Sequence, residues 1–222
     1  MKANKAYAAE IARGAAYKLL AECYYPPVEE TREHVRQLSR SLTALCSPAA
    51  EAADFMAAAL QTLEGFEELV IDHARLFVGP FALLAPPYGS VYLEGERRLM
   101  GESTLAVGEC YQAVCLEVAA GFNGTPDHIA VELEFMHFLV VKELDALSAG
   151  QLDRAQNFRQ KQRAFLERHL AAWVPDFARS VEEQAQTRFY QSLAATTRMF
   201  IESDFDPCRD AVSALMVGNA SA

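Results

Sequence analysis

Residues 125–150, TPDHIAVELEFMHFLVVKELDALSAG, decide the fold of this chain. The first residues of this stretch carry the signals of a helix start. Thr125 can cap the first turn with its hydroxyl, Pro126 loses no hydrogen bond at the first helical position, and Asp127 places a negative charge at the positive end of the helix dipole. Gly150 is a typical helix stop. We therefore predict one long helix over this stretch.

The apolar residues of the same stretch recur at spacings of three and four, which marks one buried face of a helix. They are Ile129, Leu133, Met136, Val140, Leu144 and Leu147. Phe135, Leu139 and Val141 widen the apolar face, so we expect this helix to contact neighbours on more than one side.

The rest of the chain shows further apolar stripes between helix-ending prolines and glycines, and alternating strand-like runs are scarce. We predict helices over residues 4–24, 29–45, 47–63, 66–77, 104–120 and 152–172, a short one from 176, and one over 187–203. Ile11 is predicted on the inner face of the first helix, and Phe55 and Leu105 belong to the apolar stripes of two others. Pro175 is predicted to end one helix. The predicted fold class is therefore all-α.

We predict one multi-helix bundle domain over residues 1–222, in which residues 206–222 form a frayed tail. The length and a hydrophobic content of 51% are enough for one substantial core. The 20 basic and 30 acidic residues give a net charge of −10, which argues against nucleic-acid or anionic-membrane surfaces. An acidic surface suits a basic partner, but on charge alone it is more often an ordinary route to solubility.

The chain shows no targeting segment and no apolar run long enough for a membrane span, so we expect a cytoplasmic protein. Its five cysteines are odd in number and lack CxxC spacing, which predicts reduced, mostly buried thiols and no zinc site.

The pair Glu134-x-x-His137 leaves open an alternative class, a helical metal-binding or di-iron enzyme. Such a site needs two Glu-x-x-His pairs and two further glutamates, and only one pair is present. We therefore expect His137 to be a hydrogen-bonded histidine in the core or at its boundary. Nucleotide-binding and hydrolase motifs are absent as well, so the residues favour an interaction protein over an enzyme.

Residues 78–96, VGPFALLAPPYGSVYLEGE, cannot form a continuous helix because they contain three prolines and three glycines. They are also too apolar for a solvated linker. The segment is either a packed connection or part of a binding surface.

Four short segments follow each other in a defined order: LFVGP at 76–80, PPYGSVY at 86–92, PDH at 126–128 and ELEFM at 132–136. Together they resemble the TorD/DmsD family of cytoplasmic chaperones, which mature molybdenum-containing redox enzymes. The similarity in layout covers most of the chain.

The resemblance implies an all-helical, non-catalytic protein that needs no cofactor and no metal. It implies that the partner is the precursor of a molybdopterin-dependent oxidoreductase, and that its twin-arginine signal peptide is bound until folding and cofactor insertion are complete. The implied signal-peptide-binding residues are Leu76, Phe77, Pro86, Pro87, Tyr88, Ser90, Tyr92, Asp127 and His128. Carboxylates beside an aromatic groove suit a peptide that carries arginines and an apolar stretch.

Overall fold

The computed structural model of the protein consists of α-helices joined by irregular connections. It describes residues 2–62, 66–79, 83–94, 100–119, 121–122 and 124–205. The helices are α1 (Lys2–Tyr24), α2 (Thr31–Ala44), α3 (Ala50–Thr62), α4 (Glu67–His73), α5 (Gly89–Leu93), α6 (Glu102–Gln112), α7 (Ile129–Ser148), α8 (Leu152–Phe165), α9 (Ala171–Gln184) and α10 (Arg188–Asp204). The described residues contain no β-strand, and the predicted all-α class is confirmed.

Helix α7 is the central helix, and it packs against α1 on one side and α8 on another. The fully buried members of its predicted stripe are Ile129, Leu133, Met136 and Val140. A glycine on α1 allows the close approach, because a Cβ at Gly14 would lie 3.1 Å from the side chain of Val140. The Nδ1–H of His137 donates to the Gly14 carbonyl at 2.8 Å, so His137 is the hydrogen-bonded boundary residue that the sequence predicts.

Residues 152–184 form one continuous helical segment, in which the π-helical turn Leu166–Leu170 joins α8 to α9. Pro175 lies inside α9, so the predicted break at this proline is wrong. A proline removes one backbone hydrogen bond from a helix. The fully buried Trp173 and Phe177 flank it, and we attribute the uninterrupted helix to the burial of this face. A second π-helical turn, over residues 74–78, extends α4.

Three residues of the predicted apolar stripes lie on the surface. The exposed fractions are 51% for Ile11, 61% for Phe55 and 69% for Leu105, and these predictions are wrong. In α1 the reason is the placement of Arg13, which is buried. Positions two apart in a helix point in nearly opposite directions, so a buried Arg13 turns Ile11 toward solvent.

Arg13 is a buried cation at the centre of a polar network that joins α1, α8 and α10. Its guanidinium contacts Asp204 Oδ2 at 2.9 Å and Glu10 Oε2 at 2.8 Å, and it also donates to Gln162. The Tyr17 hydroxyl donates to the same Asp204 oxygen at 2.6 Å. A buried charge is tolerated only with such partners, because desolvation is costly. Hydrophobic periodicity does not reveal this network.

The start of α10 is held by Asp72, a buried residue on α4. Its carboxylate accepts hydrogen bonds from the backbone N–H of Gln186 at 3.0 Å and of Thr187 at 2.8 Å, and from the Thr187 hydroxyl at 2.8 Å. Thr187 is in turn the N-cap of α10. The predicted helix start at this threonine is therefore confirmed, and α4 fixes its position.

Three further expectations concern the surface and the chain end. No helix within the described ranges is long and apolar enough to cross a membrane. The predicted frayed tail, residues 206–222, lies outside the described residues. Cys23 is buried and Cys110 is half-buried, but Cys46 and Cys115 are exposed, so the expectation of mostly buried thiols is wrong for the last two.

Candidate functional site

The proline-aromatic loop, residues 83–94, meets the start of α7. The Gly89 N–H donates to the Asp127 carbonyl at 2.9 Å. Beside this bond, Tyr88 and His128 form an antiparallel β-bridge. The structure thus brings together two parts of the predicted site that lie far apart in the sequence.

The carboxylate of Asp127 serves the loop and not α7. The Ser90 N–H donates to Asp127 Oδ2 at 2.8 Å. The N-cap of α7 is His128, whose Nδ1 accepts from the Ala130 N–H at 3.1 Å. The prediction that Thr125 caps this helix is wrong, because the main chain at Asp127 is bonded to the loop and stays outside the helix.

Asp127 is 1% exposed, and its second carboxylate oxygen, Oδ1, has no hydrogen-bond partner among the described residues. The hydroxyl oxygens of Ser90 and Thr125 are also buried, and they too have no hydrogen-bond partner among the described residues. Unpaired polar atoms in the interior cost free energy. This region therefore keeps hydrogen-bonding capacity that the described fold does not use.

The ring of His128 lies between two other rings, those of Tyr88 and Phe122. The distance between ring centroids is 5.3 Å in each case, with edge-to-face geometry. Burial lowers the pKa of His128 to about 4, although the neighbouring Asp127 acts in the opposite direction. The imidazole is therefore neutral near pH 7, as its accepting Nδ1 requires.

Leu76 and Phe77 lie in the core and not on the surface. Leu76 is fully buried and Phe77 is 6% exposed. The Phe77 ring lies in a cluster with the rings of Tyr24, His73 and Tyr190, at centroid distances of 6.0, 5.3 and 5.5 Å. These two residues can therefore contribute to peptide binding only indirectly, by supporting the side chains around them.

Trp173 and Glu132 are both buried in the site, although neither is among the peptide-binding residues that the resemblance implies. The Trp173 ring stacks on Tyr92 at 5.7 Å, and its Nε1–H donates to Glu132 Oε2 at 3.2 Å. Burial raises the pKa of Glu132 well above its usual value, and the bond from Trp173 opposes this. Two signals are visible in the sequence: Trp173 is the single tryptophan of the chain, and Glu132 begins the ELEFM segment that carries the family resemblance.

The implied peptide-binding residues thus fall into two groups. The half-buried group, which can contact a ligand directly, consists of Tyr88, Tyr92 and His128. The buried group consists of Leu76, Phe77, Pro86, Pro87, Ser90 and Asp127. Most of the loop is therefore a packed connection, and its rings provide the exposed part of the site.

The alternative metal site finds no support in the geometry. Glu134 accepts a hydrogen bond from the Tyr25 hydroxyl at 2.9 Å, and His137 is bonded to the carbonyl of Gly14. Within the described ranges, no three acidic, histidine or cysteine side chains form a group that could hold a metal ion.

The sequence profile of the family described as "Nitrate reductase delta subunit" matches residues 33–179, which include both halves of the site. The chaperone protein TorD of Psychrobacter sp. (strain PRwf-1) is 28% identical over 219 residues, which cover 93% of this chain and 96% of the relative. The chain belongs to the TorD/DmsD family. TorD/DmsD relatives also include the Tat proofreading chaperone DmsD of Salmonella typhi, which is 31% identical over 125 residues, 56% of this chain and 54% of that one.

A solved structure supports the TorD/DmsD fold. It is described as a redox enzyme maturation protein from Archaeoglobus fulgidus, with a TM-score of 0.51 and 21% identity, and the match covers 85% of this chain and 93% of the other. The relatives of the TorD/DmsD family are named as chaperones and not as enzymes. The predicted non-catalytic maturation chaperone is confirmed at this level.

Proposed function

We propose that this TorD/DmsD chaperone binds the twin-arginine signal peptide of a molybdoenzyme precursor in the cytoplasm. It holds the precursor until folding and cofactor insertion are complete, and so delays export. Its partners are the leader and the body of a molybdopterin-dependent oxidoreductase. The family description, which names nitrate reductase, and a relative named as a Tat proofreading chaperone support this proposal.

The observation that carries the proposal is the buried Oδ1 of Asp127, which has no hydrogen-bond partner among the described residues. An arginine guanidinium has five N–H donors in a planar fork and binds carboxylates in charge-assisted pairs. A leader arginine that reaches Asp127 satisfies this oxygen in a desolvated environment, where such bonds are strong.

Tyr88 and His128 lie beside Asp127 and can offer apolar contact to a peptide, because both are only half-buried. In this proposal, movement of these two side chains lets the arginine reach the buried carboxylate. Because burial keeps His128 neutral, its ring adds no positive charge that would repel an arginine. The net charge of −10 favours the approach of a basic leader.

Calorimetric titration with synthetic twin-arginine leaders from molybdoenzymes tests the proposal. We expect saturable binding of at least one leader, and weaker binding when its two arginines are replaced by glutamines or when the salt concentration is raised. If the folded protein binds none of the leaders, or binds the glutamine peptide equally well, the proposal is wrong.

A further inference from the structure

A second concave surface lies beside the candidate site, between the connection that follows α6 and the outer face of α7. Its cavity has a volume of about 380 Å³, within the range of ligand-binding clefts. Tyr111 and Phe135 form the floor and are 4% and 5% exposed. Tyr25, Val118 and Phe138 belong to the walls and are half-buried. We name this surface the α6–α7 groove.

The core fixes the floor of the α6–α7 groove. The Tyr111 ring lies 4.6 Å from the Phe135 ring, and the Tyr111 hydroxyl donates to the Pro126 carbonyl at 2.8 Å. Helix α6 ends at Gln112, and the chain continues as a turn and an irregular segment over residues 113–119, whose last four residues line the groove. A preformed apolar groove loses little conformational freedom when a ligand binds.

The α6–α7 groove is acidic as well as apolar. Glu117 and Glu134 line it, and no described lining residue is basic. Burial raises the pKa of Glu134, and the nearby Glu22 adds to this effect, whereas the Tyr25 hydroxyl, His137 and Lys18 oppose it. A partly desolvated carboxylate among aromatic rings gains more from a cation than a fully hydrated one.

The ring of Phe122 connects the α6–α7 groove to the candidate site. Its centroid lies 6.4 Å from that of Tyr25 in the groove wall and 5.3 Å from that of His128 in the candidate site. One extended or helical peptide can therefore contact both regions.

We propose that the α6–α7 groove binds the apolar stretch of the client's signal peptide, and that Glu134 and Glu117 bind a basic residue of the same peptide. This inference rests on the proposed function, and it places the apolar half of the ligand outside the residues that the family resemblance implies. The combination of acidic and apolar lining favours such a peptide over an anion or a nucleic acid.

Charge reversal with a matched control tests the acidic part of the groove. Glu134→Lys is compared with Glu109→Lys on the exposed face of α6, so that both variants change the net charge equally. We expect Glu134→Lys to weaken binding of a fluorescent leader about tenfold, and Glu109→Lys to leave it nearly unchanged. Thermal unfolding of both variants shows whether the fold is intact.

Val118→Ser tests the apolar wall, with Val28→Ser, an exposed valine outside the groove, as its control. Each variant is titrated with the full leader and with a shorter peptide that keeps the arginines but lacks the apolar stretch. We expect Val118→Ser to weaken binding of the full leader about threefold or more, the effect of losing buried methyl groups, and to leave the short peptide unaffected.

The possible outcomes separate this inference from the proposed function. If the wild-type protein binds the leader and both groove variants bind it equally well, the groove inference is wrong and the proposed function stands. If no leader binds the wild type, the proposed function fails, and the proposed occupant of the groove fails with it. If the groove variants only change the oligomeric state, as measured by light scattering, the groove is an interface between copies and the inference is overturned.

Discussion

Asp127 accepts a hydrogen bond from the backbone N–H of Ser90, a residue 37 positions earlier, at a distance of 2.8 Å. The carbonyl of the same aspartate accepts from Gly89. A single residue before α7 thus bonds to the loop through both its main chain and its side chain. Asp127 is therefore a structural residue in the unbound protein, whatever it does in a complex.

Replacement of Asp127 by alanine should lower the free energy of unfolding by about 1–3 kcal/mol, because it leaves the N–H of Ser90 unpaired in the interior. Urea denaturation measures this change. Asp145→Ala is the control, since that side chain is 65% exposed, and it should change stability by no more than about 0.5 kcal/mol. Equal effects of the two changes would show that the Asp127 carboxylate does not hold the loop.

A pair of glycine substitutions tests the packing of the loop. A Cβ at Gly89 would lie 3.0 Å from Trp173 Nε1 and 3.3 Å from Glu132 Oε1, so Gly89→Ala should destabilise the protein by about 1–3 kcal/mol. A Cβ at Gly108, inside α6, would meet nothing within 4 Å. Gly108→Ala should therefore stabilise the protein by up to about 1 kcal/mol. Thermal unfolding measures both changes in stability. If Gly89→Ala stabilised the protein as Gly108→Ala does, the tight contact at Gly89 would be contradicted.

The stability of the protein should depend on pH through Glu132. Because its pKa is raised in the folded state, the native protein keeps this proton where the unfolded chain has released it. This contribution to stability is complete below the unfolded pKa of about 4.3, and it is lost as the pH rises through the raised folded value.

The variant Glu132→Gln lacks this titration, and its amide oxygen can still accept from Trp173. The free energy of unfolding of the variant, measured relative to that of the wild type, should therefore rise as the pH increases from about 4 to 8. Urea denaturation across this range measures the difference, and Glu109→Gln serves as the exposed control. A difference that stays constant with pH would show that Glu132 does not titrate as described.

The network around Arg13 predicts a large effect of a single change. Arg13→Leu should destabilise the protein by about 3–5 kcal/mol, because it leaves the buried Asp204 carboxylate without its cation. Arg36→Leu removes an exposed pair with Glu33 and should have little effect. Guanidinium denaturation compares the two. A small loss in Arg13→Leu would mean that the Tyr17 hydroxyl suffices for Asp204.

The sequence predicts the helices well where one apolar face dominates. The stripe of α7 and the start of α10 near Thr187 are visible as spacing and residue type, because both are local properties. The exposure of Ile11 and the continuous helix through Pro175 are not local. They depend on Arg13 and on the burial of Trp173, which periodicity does not reveal.

The candidate site could also be predicted from the sequence only in part. The order of the segments indicates that the loop and the start of α7 belong together, and the bridge between Tyr88 and His128 confirms their proximity. The sequence could not show that Phe77 packs into the core, because an aromatic residue two positions before a glycine suits a core and a surface equally well. Nor could it show that Asp127 bonds to Ser90, since this contact joins distant positions.

The ion pair between Arg13 and Asp204 has a consequence for synthesis of the chain. The two residues lie 191 positions apart, so a ribosome that adds about 5–20 residues per second makes the second one roughly 10–40 s after the first. During this interval the N-terminal helix carries a cation whose buried partner does not yet exist. Helix α1 can therefore complete this ion pair only after α10 has been synthesised, and a chain truncated before α10 should fail to close its core.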